Sequence, residues 1–304
     1  MTMKSEDLLE LLNLDLDDLL ARAYEVRCQR GAVVELCSIV NAKSGCCSED
    51  CVFCAQSGRW GYSGPKAMIT KDQALSVGYR CLESGISRLS LVTSGRSLSD
   101  REVDFFCSIY ESLSEIGIGL CGSHGLLSEP QMRRLATSGL SRYHCNLETG
   151  PRFFPQICAT HGFMDKIETL KVARGCGLEL CSGGLWGLGE GDLDRAEMVL
   201  ALRELKVESV PINCLIPVGG TPMEGASPPR VDTVLRWGAV AQIALPWATI
   251  RYAGGRSCLG EQVSRGLKGG IGGLLTGDYL TTSGSDVSKD VGLIRSLGLK
   301  LSNF

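Results

Sequence analysis

Short β-rich runs alternate with helical patterns along most of this 304-residue chain. The strand candidates are Val33–Asn41, Arg88–Ser94, Ile118–Gly122, Arg142–Glu148, Leu178–Trp186, Ser209–Ile216, Ala244–Tyr252 and Ile271–Thr276. The helical patterns are Lys71–Glu83, Ser99–Ile116, Ser128–Thr137, Phe163–Arg174, Asp192–Leu205, Arg230–Ile243, Leu259–Leu267 and Asp286–Leu297. Strands that alternate with helices form parallel sheets. Eight such units predict an α/β fold, a (β/α)8 TIM-type barrel.

The first 30 residues follow a different pattern. Between Ser5 and Arg27, leucines and one tyrosine recur at helical spacing, which predicts an amphipathic pair of helices. No stretch that resembles a linker divides the rest of the chain. We therefore predict an N-terminal helical extension over residues 1–30 and one barrel over residues 31–304.

Composition limits the possible partners and the location. The net charge is −3, and no apolar run approaches the ~20 residues of a membrane span. We expect neither a nucleic-acid nor a membrane partner. Fifteen cysteines make an odd number of thiols, and no signal peptide precedes them. This combination favours the reducing cytoplasm over a secreted disulfide scaffold.

Three of the cysteines are spaced C-x3-C-x2-C, in the run Cys47-Ser-Glu-Asp-Cys51-Val-Phe-Cys54. Cysteine thiolates are the usual ligands of iron–sulfur clusters. Three thiolates would hold three corners of a cubane [4Fe-4S] cluster and leave one iron without a protein ligand. An open coordination position is typical of a working metal rather than a structural one. This spacing, with an aromatic residue before the last cysteine, predicts S-adenosylmethionine (SAM) radical chemistry.

A zinc site is the alternative for this run, with Cys46 as a fourth ligand, although adjacent cysteines make a strained chelate. The position of the loop favours the open cluster. The loop follows the first predicted strand directly, and active sites of such barrels lie at the carboxyl ends of the strands. The cluster would therefore face the mouth of the barrel.

A second set of cysteines falls inside the predicted barrel. Cys37, Cys121 and Cys181 lie on the first, third and fifth strands, and Arg251 lies on the seventh. Inward side chains from alternate strands of a barrel share a layer, so these four residues could surround a second, anionic cluster. The alternative is that each cysteine packs as a small apolar residue. A buried Arg251 would need an anionic partner, which favours the cluster.

The chain resembles the biotin synthase family. The resemblance runs from Val33 to about Leu299, and its markers are NAKSG-x-C-x-ED-C-x-F-C-AQS (Asn41–Ser57), YHCNLET (Tyr143–Thr149), LCSGGLWGLGE (Leu180–Glu190), ESVPINCLIPVGGTP (Glu208–Pro222) and TIRYAGGR (Thr249–Arg256). It implies a homodimeric barrel that inserts sulfur between C6 and C9 of dethiobiotin. The implied cofactors are a [4Fe-4S] cluster, SAM and a sacrificial auxiliary cluster that supplies the sulfur. The implied partners are a flavodoxin- or ferredoxin-type electron donor and the iron–sulfur assembly machinery.

The resemblance also assigns residues to the two clusters and the substrate. It places Cys47, Cys51 and Cys54 on the SAM cluster. It implies cofactor contacts from Phe53, Asn146, Glu148, Lys166, Gly187 and Glu190, and catalytic positions at Cys121, Cys181, Arg251, Asn146 and Asn213. Asn146 and Asn213 would hold the ureido ring of the substrate, and Lys166 would meet the SAM carboxylate.

One departure from the family concerns the auxiliary cluster. The family's site uses three cysteines and one arginine, but Ser90 replaces the cysteine of the second strand. Cys37 stands where a small hydroxyl residue is common. We therefore predict a relocated ligand, Cys37, and an auxiliary cluster that is either [2Fe-2S] or larger. Cys145 is the rival compensating ligand, although its strand parity aims it away from the site.

Two other functions remain open at this point. Another radical-SAM barrel enzyme, such as a hydrogenase-maturation or methylornithine-forming protein, would share the first motif without the sulfur-donor cluster. An iron–sulfur electron carrier would not explain Asn146, Glu148 and Asn213 at strand ends. The three histidines, His124, His144 and His161, have no ligand pattern, so we expect them to be ordinary packed or exposed residues.

Overall fold

A computed structural model of the chain describes residues 3–45, 47–61, 64, 66–277 and 284–302. Cys46, the proposed fourth zinc ligand, lies outside these residues. The α-helices are α1 (Ser5–Leu11), α2 (Leu16–Cys28), α3 (Lys71–Glu83), α4 (Asp100–Ser114), α5 (Glu129–Thr137), α6 (Phe163–Gly175), α7 (Asp192–Glu204), α8 (Val231–Ala244), α9 (Val263–Leu267) and α10 (Val287–Ser296). The strands are β1 (Val33–Ser44), β2 (Ala67–Met68), β3 (Arg88–Thr93), β4 (Gly119–Ser123), β5 (Arg142–His144), β6 (Glu179–Cys181), β7 (Gly184–Trp186), β8 (Ser209–Cys214), β9 (Thr249–Tyr252), β10 (Gly273–Leu275) and β11 (Lys300–Leu301).

Parallel strands close into a barrel in the order β1, β3, β4, β5, β6, β8, β9 and β10, and β10 pairs back to β1. The short strand β7 continues the path of β6 and pairs with β8. β2 and β11 pair with β1 outside the ring. The predicted α/β class and (β/α)8 TIM-type barrel are confirmed.

Alternating side chains on each strand separate the core from the barrel interior. On β3, Leu89 and Leu91 are fully buried in the apolar core, whereas Ser90 and Val92 line the interior cavity. The period of two follows from the pleat of a strand. Nearby residues also determine where helices begin. At the start of α3, Thr70 Oγ1 accepts a hydrogen bond from the backbone N–H of Gln73.

The predicted N-terminal pair of helices is confirmed as α1 and α2. The buried side chains Leu8, Leu19 and Leu20 anchor them, and α2 packs against α8. Arg27 at the end of α2 donates to the carbonyl oxygens of Leu267 (2.7 Å) and Val33 (2.8 Å). Both helices therefore cover the amino-terminal side of the barrel, away from the cysteine loop. The domain boundary between residues 30 and 31 stays a prediction.

The fifth strand differs from the prediction because it is split into β6 and β7. A Cβ added to Gly183, in the break, would lie 1.9 Å from the carbonyl oxygen of Pro211 on β8. Only glycine allows two backbones to approach this closely. Pro211 also lacks an N–H with which to continue the ladder. The seventh strand is shorter than predicted because α8 ends only at Ala244 and residues 245–248 form the connection to β9.

No helix in the described part of the chain is both long and apolar enough to cross a membrane.

Candidate active site

A cavity of about 390 Å³ occupies the barrel interior and reaches the cysteine loop. Cys47, Cys51 and Cys54 line one part of it, and Cys37, Cys121 and Cys181 line another. The two sets of thiols that the sequence predicted therefore share one cavity.

Backbone hydrogen bonds shape the cysteine loop after β1. The N–H of Cys47 donates to the carbonyl of Gln56 (2.9 Å), and the N–H of Cys54 donates to that of Cys51 (3.1 Å). The indole N–H of Trp60 donates to the carbonyl of Cys51 at 2.9 Å. These bonds turn the loop back on itself, so three thiols converge on the cavity.

The chemistry of these three thiols fits an iron–sulfur cluster. All three are free cysteines that face the same space. Burial raises the pKa of the Cys54 thiol, and the hydrogen bond with Cys158, together with burial, raises that of Cys51. Buried thiols of this kind ionise only where a cation compensates the charge, and cluster iron is such a cation. Cys47, Cys51 and Cys54 are the residues that would hold it.

A group of polar side chains next to Cys51, formed by Cys158, His161 and Glu49, was not predicted from the sequence. The Sγ atoms of Cys158 and Cys51 lie 3.9 Å apart, and Cys158 Sγ is 3.3 Å from His161 Nδ1. His161 Nδ1 is also 2.6 Å from a Glu49 carboxylate oxygen. The hydrogen bond from Cys51 lowers the pKa of Cys158 to about 4, although burial opposes this shift. The Cys158-x-x-His161 spacing was the available signal, but nothing in the sequence placed it beside Cys51.

The lower thiols lie among charged groups. Arg251 is 2% exposed, and its Nη1 donates to Cys37 Sγ at 2.9 Å. Its Nε donates to Ser209 Oγ at 2.9 Å, and its Nη2 bonds to Glu35. Burial raises the pKa of Cys37 and raises that of Cys121 to about 11. Three thiols that line the barrel interior near one buried cation fit a second cluster, with Cys37, Cys121, Cys181 and Arg251 as the residues around it.

An ion-pair network that was not predicted from the sequence lies at the amino-terminal ends of the barrel strands. Glu35 pairs with Arg88 (3.2 Å) and Arg142 (3.3 Å), and Arg142 pairs with Glu179 (2.8 Å). Burial works against the charged form of Glu35, but Arg251 and Arg142 lower its pKa well below the usual range. The network is therefore charged and internally paired, and it lies at the end of the barrel opposite the cysteine loop.

Cys181 differs from the other two lower thiols. Burial opposes its ionisation, but His144 and Arg251 lower its pKa to about 6. His144 Nδ1 lies 3.2 Å from Cys181 Sγ.

Contrary to the expectation that the histidines are ordinary, His144 and His161 both line the cavity. Only His124 is an ordinary packed residue, in tilted and edge-on contact with Phe106 and Tyr110 and hydrogen-bonded to the Tyr110 hydroxyl at 2.7 Å.

The predicted Asn146, Glu148 and Asn213 lie together on the cavity wall. Asn146 Oδ1 accepts from the N–H of Gly183 at 3.0 Å. Asn213 is held on both sides, because its Nδ2 donates to the carbonyl of Gly184 (3.1 Å) and its Oδ1 accepts from Gly254 (2.9 Å). The two amides are therefore positioned by the breaks and ends of neighbouring strands.

Glu148 adopts a left-handed backbone conformation with φ of 68°. Such a conformation costs about 1 kcal/mol or more in a residue with a side chain and is frequent at functional sites. Hydrogen bonds to the backbone of the β6–β7 segment maintain this conformation. The N–H of Glu148 donates to the carbonyl of Gly183 at 3.1 Å, and its carbonyl accepts from the N–H of Leu185 at 2.9 Å. Burial raises the pKa of the Glu148 carboxyl group.

Lys166, from the first turn of α6, and Phe53, from the cysteine loop, also line the cavity. Burial disfavours the charged ammonium, but Cys145 and Glu148 raise the pKa of Lys166. Its Nζ lies 5.8 Å from the centre of the Phe154 ring. A cation at this position can receive the carboxylate of a ligand.

Gly187 and Glu190 are not among the residues that line this cavity. The Glu190 carboxylate accepts from the N–H groups of Gly187 (3.2 Å) and Leu188 (2.8 Å), and it pairs with Arg195 at 2.6 Å. These contacts shape the loop after β7 and leave the carboxylate fully occupied. This geometry therefore does not support the predicted cofactor contacts from Gly187 and Glu190.

Cys145 lines the cavity, contrary to the parity argument. The predicted strand continued to Glu148, but β5 ends at His144. Beyond that point side chains no longer alternate between two faces, so Cys145 and Asn146 both reach the interior wall. Cys145 therefore remains a structural rival to Cys37.

Two family models match the chain. The model of the Radical SAM superfamily matches residues 42–222, and that of the Biotin and Thiamin Synthesis associated domain matches residues 211–300. Among curated proteins, the chain is 42% identical to a biotin synthase of Clostridium botulinum (strain Hall), over 98% of this chain and 95% of that protein. It is 46% identical to the biotin synthase of Acetivibrio thermocellus, over 89% and 85% of the two chains.

Two solved structures share the fold at low sequence identity. A methylornithine synthase superposes with a TM-score of 0.84 at 18% identity, covering 100% of this chain and 95% of that one. The FeFe-hydrogenase maturase of Carboxydothermus hydrogenoformans gives 0.85 at 16% identity, covering 99% and 76%. At this identity the likeness concerns the fold alone.

Proposed function

Because this chain belongs to the biotin synthase family, we propose that it inserts a sulfur atom between C6 and C9 of dethiobiotin and so forms biotin. The observation that carries the proposal is the single cavity with two separate sets of three thiols. One set would hold the cluster that binds SAM, and the other would hold the cluster that donates sulfur. The cofactors supply the radical and the sulfur atom when they are bound.

The upper residues would bind and orient SAM. Cys47, Cys51 and Cys54 would hold the [4Fe-4S] cluster, and the Lys166 ammonium would receive the SAM carboxylate. Phe53 would lie beside the adenine, while Asn146 and Glu148 would bond the ribose. All seven residues line the same cavity, which supports this division of roles.

The lower residues would hold the auxiliary cluster and exclude water. Cys37 takes the place of the missing strand-2 cysteine in this proposal, together with Cys121, Cys181 and the neighbouring Arg251. The ion-pair network of Glu35, Arg88, Arg142 and Glu179 would balance charge at the amino-terminal side of this site. Asn146 and Asn213 would hold the ureido ring between the two sites.

The test is turnover of labelled dethiobiotin. Protein reconstituted under nitrogen with ferrous iron and sulfide, then given SAM and a reductant, should convert dethiobiotin to biotin. SAM cleavage without consumption of dethiobiotin would instead favour another radical-SAM activity. Absence of SAM cleavage after reduction would favour an electron carrier.

Asn213→Ala should weaken dethiobiotin binding while SAM cleavage is largely kept. Loss of a buried hydrogen-bonding group costs about 1–3 kcal/mol, or roughly 5- to 150-fold in affinity. The measurement is calorimetric binding of dethiobiotin beside the rate of SAM cleavage. Because Asn213 also joins Gly184 to Gly254, the thermal midpoint must be recorded. Equal loss of both activities with a lowered midpoint would indicate misfolding instead.

Lys166→Met should weaken SAM binding by about tenfold or more, because a partly buried charged hydrogen bond contributes about 1.5–3 kcal/mol. Lys166→Arg is the matched control, since it keeps the cation and offers a fork to the carboxylate. Equilibrium binding of SAM to the reconstituted protein measures the effect. Equal SAM affinity in wild type and Lys166→Met would remove Lys166 from the SAM site.

The proposal extends to partners and location. We expect a homodimer in the cytoplasm that receives electrons from a flavodoxin- or ferredoxin-type protein. The iron–sulfur assembly machinery would load and rebuild the clusters, because the donor cluster loses sulfur in each turnover.

A further inference from the structure

His144 is the polar group nearest to Cys181 that the assignments above leave without a role. It occupies an inward position on β5, and the strand register places it directly opposite Cys181 on β6. Its side chain lines the same cavity as the lower thiols, Asn146 and Glu148. The imidazole of His144 therefore faces the predicted sulfur-donor site.

The separation between the two side chains suits a shared metal. His144 Nδ1 lies 3.2 Å from Cys181 Sγ. A thiolate and an imidazole on one tetrahedral metal lie about 3.5 Å apart, from typical bond lengths of about 2.3 and 2.0 Å. Imidazole is an established iron ligand in mixed cysteine and histidine clusters. The contact therefore needs little adjustment to become a pair of ligands.

Arg251 is the other candidate for a nitrogen ligand, but its side-chain nitrogens already donate hydrogen bonds. Its Nε, Nη1 and Nη2 atoms donate to Ser209, Cys37 and Glu35 respectively. A fully protonated guanidinium donates hydrogen bonds and offers a metal no lone pair, so Arg251 could bind iron only after losing a proton. Arg251 would have to lose its ion pair with Glu35 before it could bind iron. In the observed arrangement it acts as a cation beside Cys37.

We propose that His144 is the nitrogen ligand of the auxiliary cluster, beside Cys181 and together with Cys37 and Cys121. This inference rests on the proposed function, because it assumes that the lower thiols hold a cluster. It assigns Arg251 a different task, which is to neutralise the charge of the cluster and orient Cys37.

The chain offers a clean labelling experiment because it contains only three histidines. Cys47→Ala protein, which should lack the SAM cluster, is produced with natural-abundance or ¹⁵N-labelled histidine. It is then reconstituted under nitrogen with ferrous iron and sulfide. Iron content, Mössbauer spectra and, after reduction, pulsed EPR are recorded. The same measurements are made with His144→Gln, His144→Cys and His161→Gln added.

The proposal expects a strong nitrogen coupling that changes on ¹⁵N labelling and disappears in His144→Gln. It expects His144→Gln to lose auxiliary iron, and His144→Cys to retain iron without the nitrogen coupling. His161→Gln, the matched control, should keep the spectrum, because His161 adjoins Cys51 rather than the lower thiols.

Identical spectra with labelled and unlabelled histidine would overturn the proposal. So would unchanged iron content and Mössbauer parameters in His144→Gln, which would reduce His144 to a hydrogen-bond partner of Cys181. His144→Cys decides the question if the glutamine variant does not fold. Biotin formation by wild-type protein without a histidine coupling would refute this inference and leave the proposed function intact.

Discussion

Cys37→Ala is expected to abolish biotin formation while reductive SAM cleavage continues. Cys37 lines the barrel interior with its Sγ 2.9 Å from Arg251 Nη1. It lies within β1, whereas the SAM-side loop follows the end of that strand. Removing it should cost the auxiliary cluster a ligand and leave the upper three thiols untouched. We expect biotin to fall by about a thousand-fold or more, equivalent to about 4 kcal/mol. Parallel assays of biotin and of SAM cleavage measure this split.

Cys145→Ala is the matched control for Cys37→Ala, because Cys145 is the other cysteine that could compensate for Ser90. It also lines the cavity, but its neighbours are Lys166 and Glu148 rather than Arg251. Mössbauer spectra should show a changed second cluster in Cys37→Ala and an unchanged one in Cys145→Ala. The reverse pattern would transfer the ligand role to Cys145 and end the relocation hypothesis.

Cys54→Ala should abolish both SAM cleavage and biotin formation, each by roughly a thousand-fold or more. Cys54 is preferable to Cys51 for this test, because Cys158 Sγ lies 3.9 Å from Cys51 Sγ and could replace it as a ligand. Iron bound at the lower thiols should remain and be visible in the Mössbauer spectrum. The expected signature is therefore loss of one cluster and retention of the other.

Cys176→Ala is the control for Cys54→Ala, since Cys176 is the C-cap residue that follows α6 and does not line the cavity. It should keep both clusters and both reactions. If Cys54→Ala retained SAM cleavage, the upper thiols would not form the SAM-binding site, and the C-x3-C-x2-C motif would need another explanation.

The barrel and the thiol sets could be predicted because local patterns determine them. Strand and helix periodicities gave nearly all elements, and α3 has the predicted bounds Lys71–Glu83. Counting strands then placed Cys37, Cys121, Cys181 and Arg251 in one interior. Alternation of side chains along a strand is enough for such an inference wherever the strand is regular.

The remaining features depend on irregular backbone or on contacts between distant segments. Cys145 was assigned to the wrong face because β5 ends at His144, which is only the third residue of the strand. The pairing of His161 with Glu49 joins residues 112 positions apart. Charged residues such as Glu35 and Arg88 are usually exposed, so the sequence alone suggests surface positions for them. They become ion-pair partners only when the barrel closes. Such contacts follow from tertiary structure, and no local pattern encodes them.

The central claim is that two separate iron–sulfur sites face one cavity. Anomalous diffraction at the iron edge, from crystals grown under nitrogen after reconstitution, tests it most directly. The account predicts two resolved iron peaks, one beside Cys47, Cys51 and Cys54 and one beside Cys37, Cys121 and Cys181. A single peak at the upper loop, with no iron at the lower thiols of fully reconstituted protein, would contradict it.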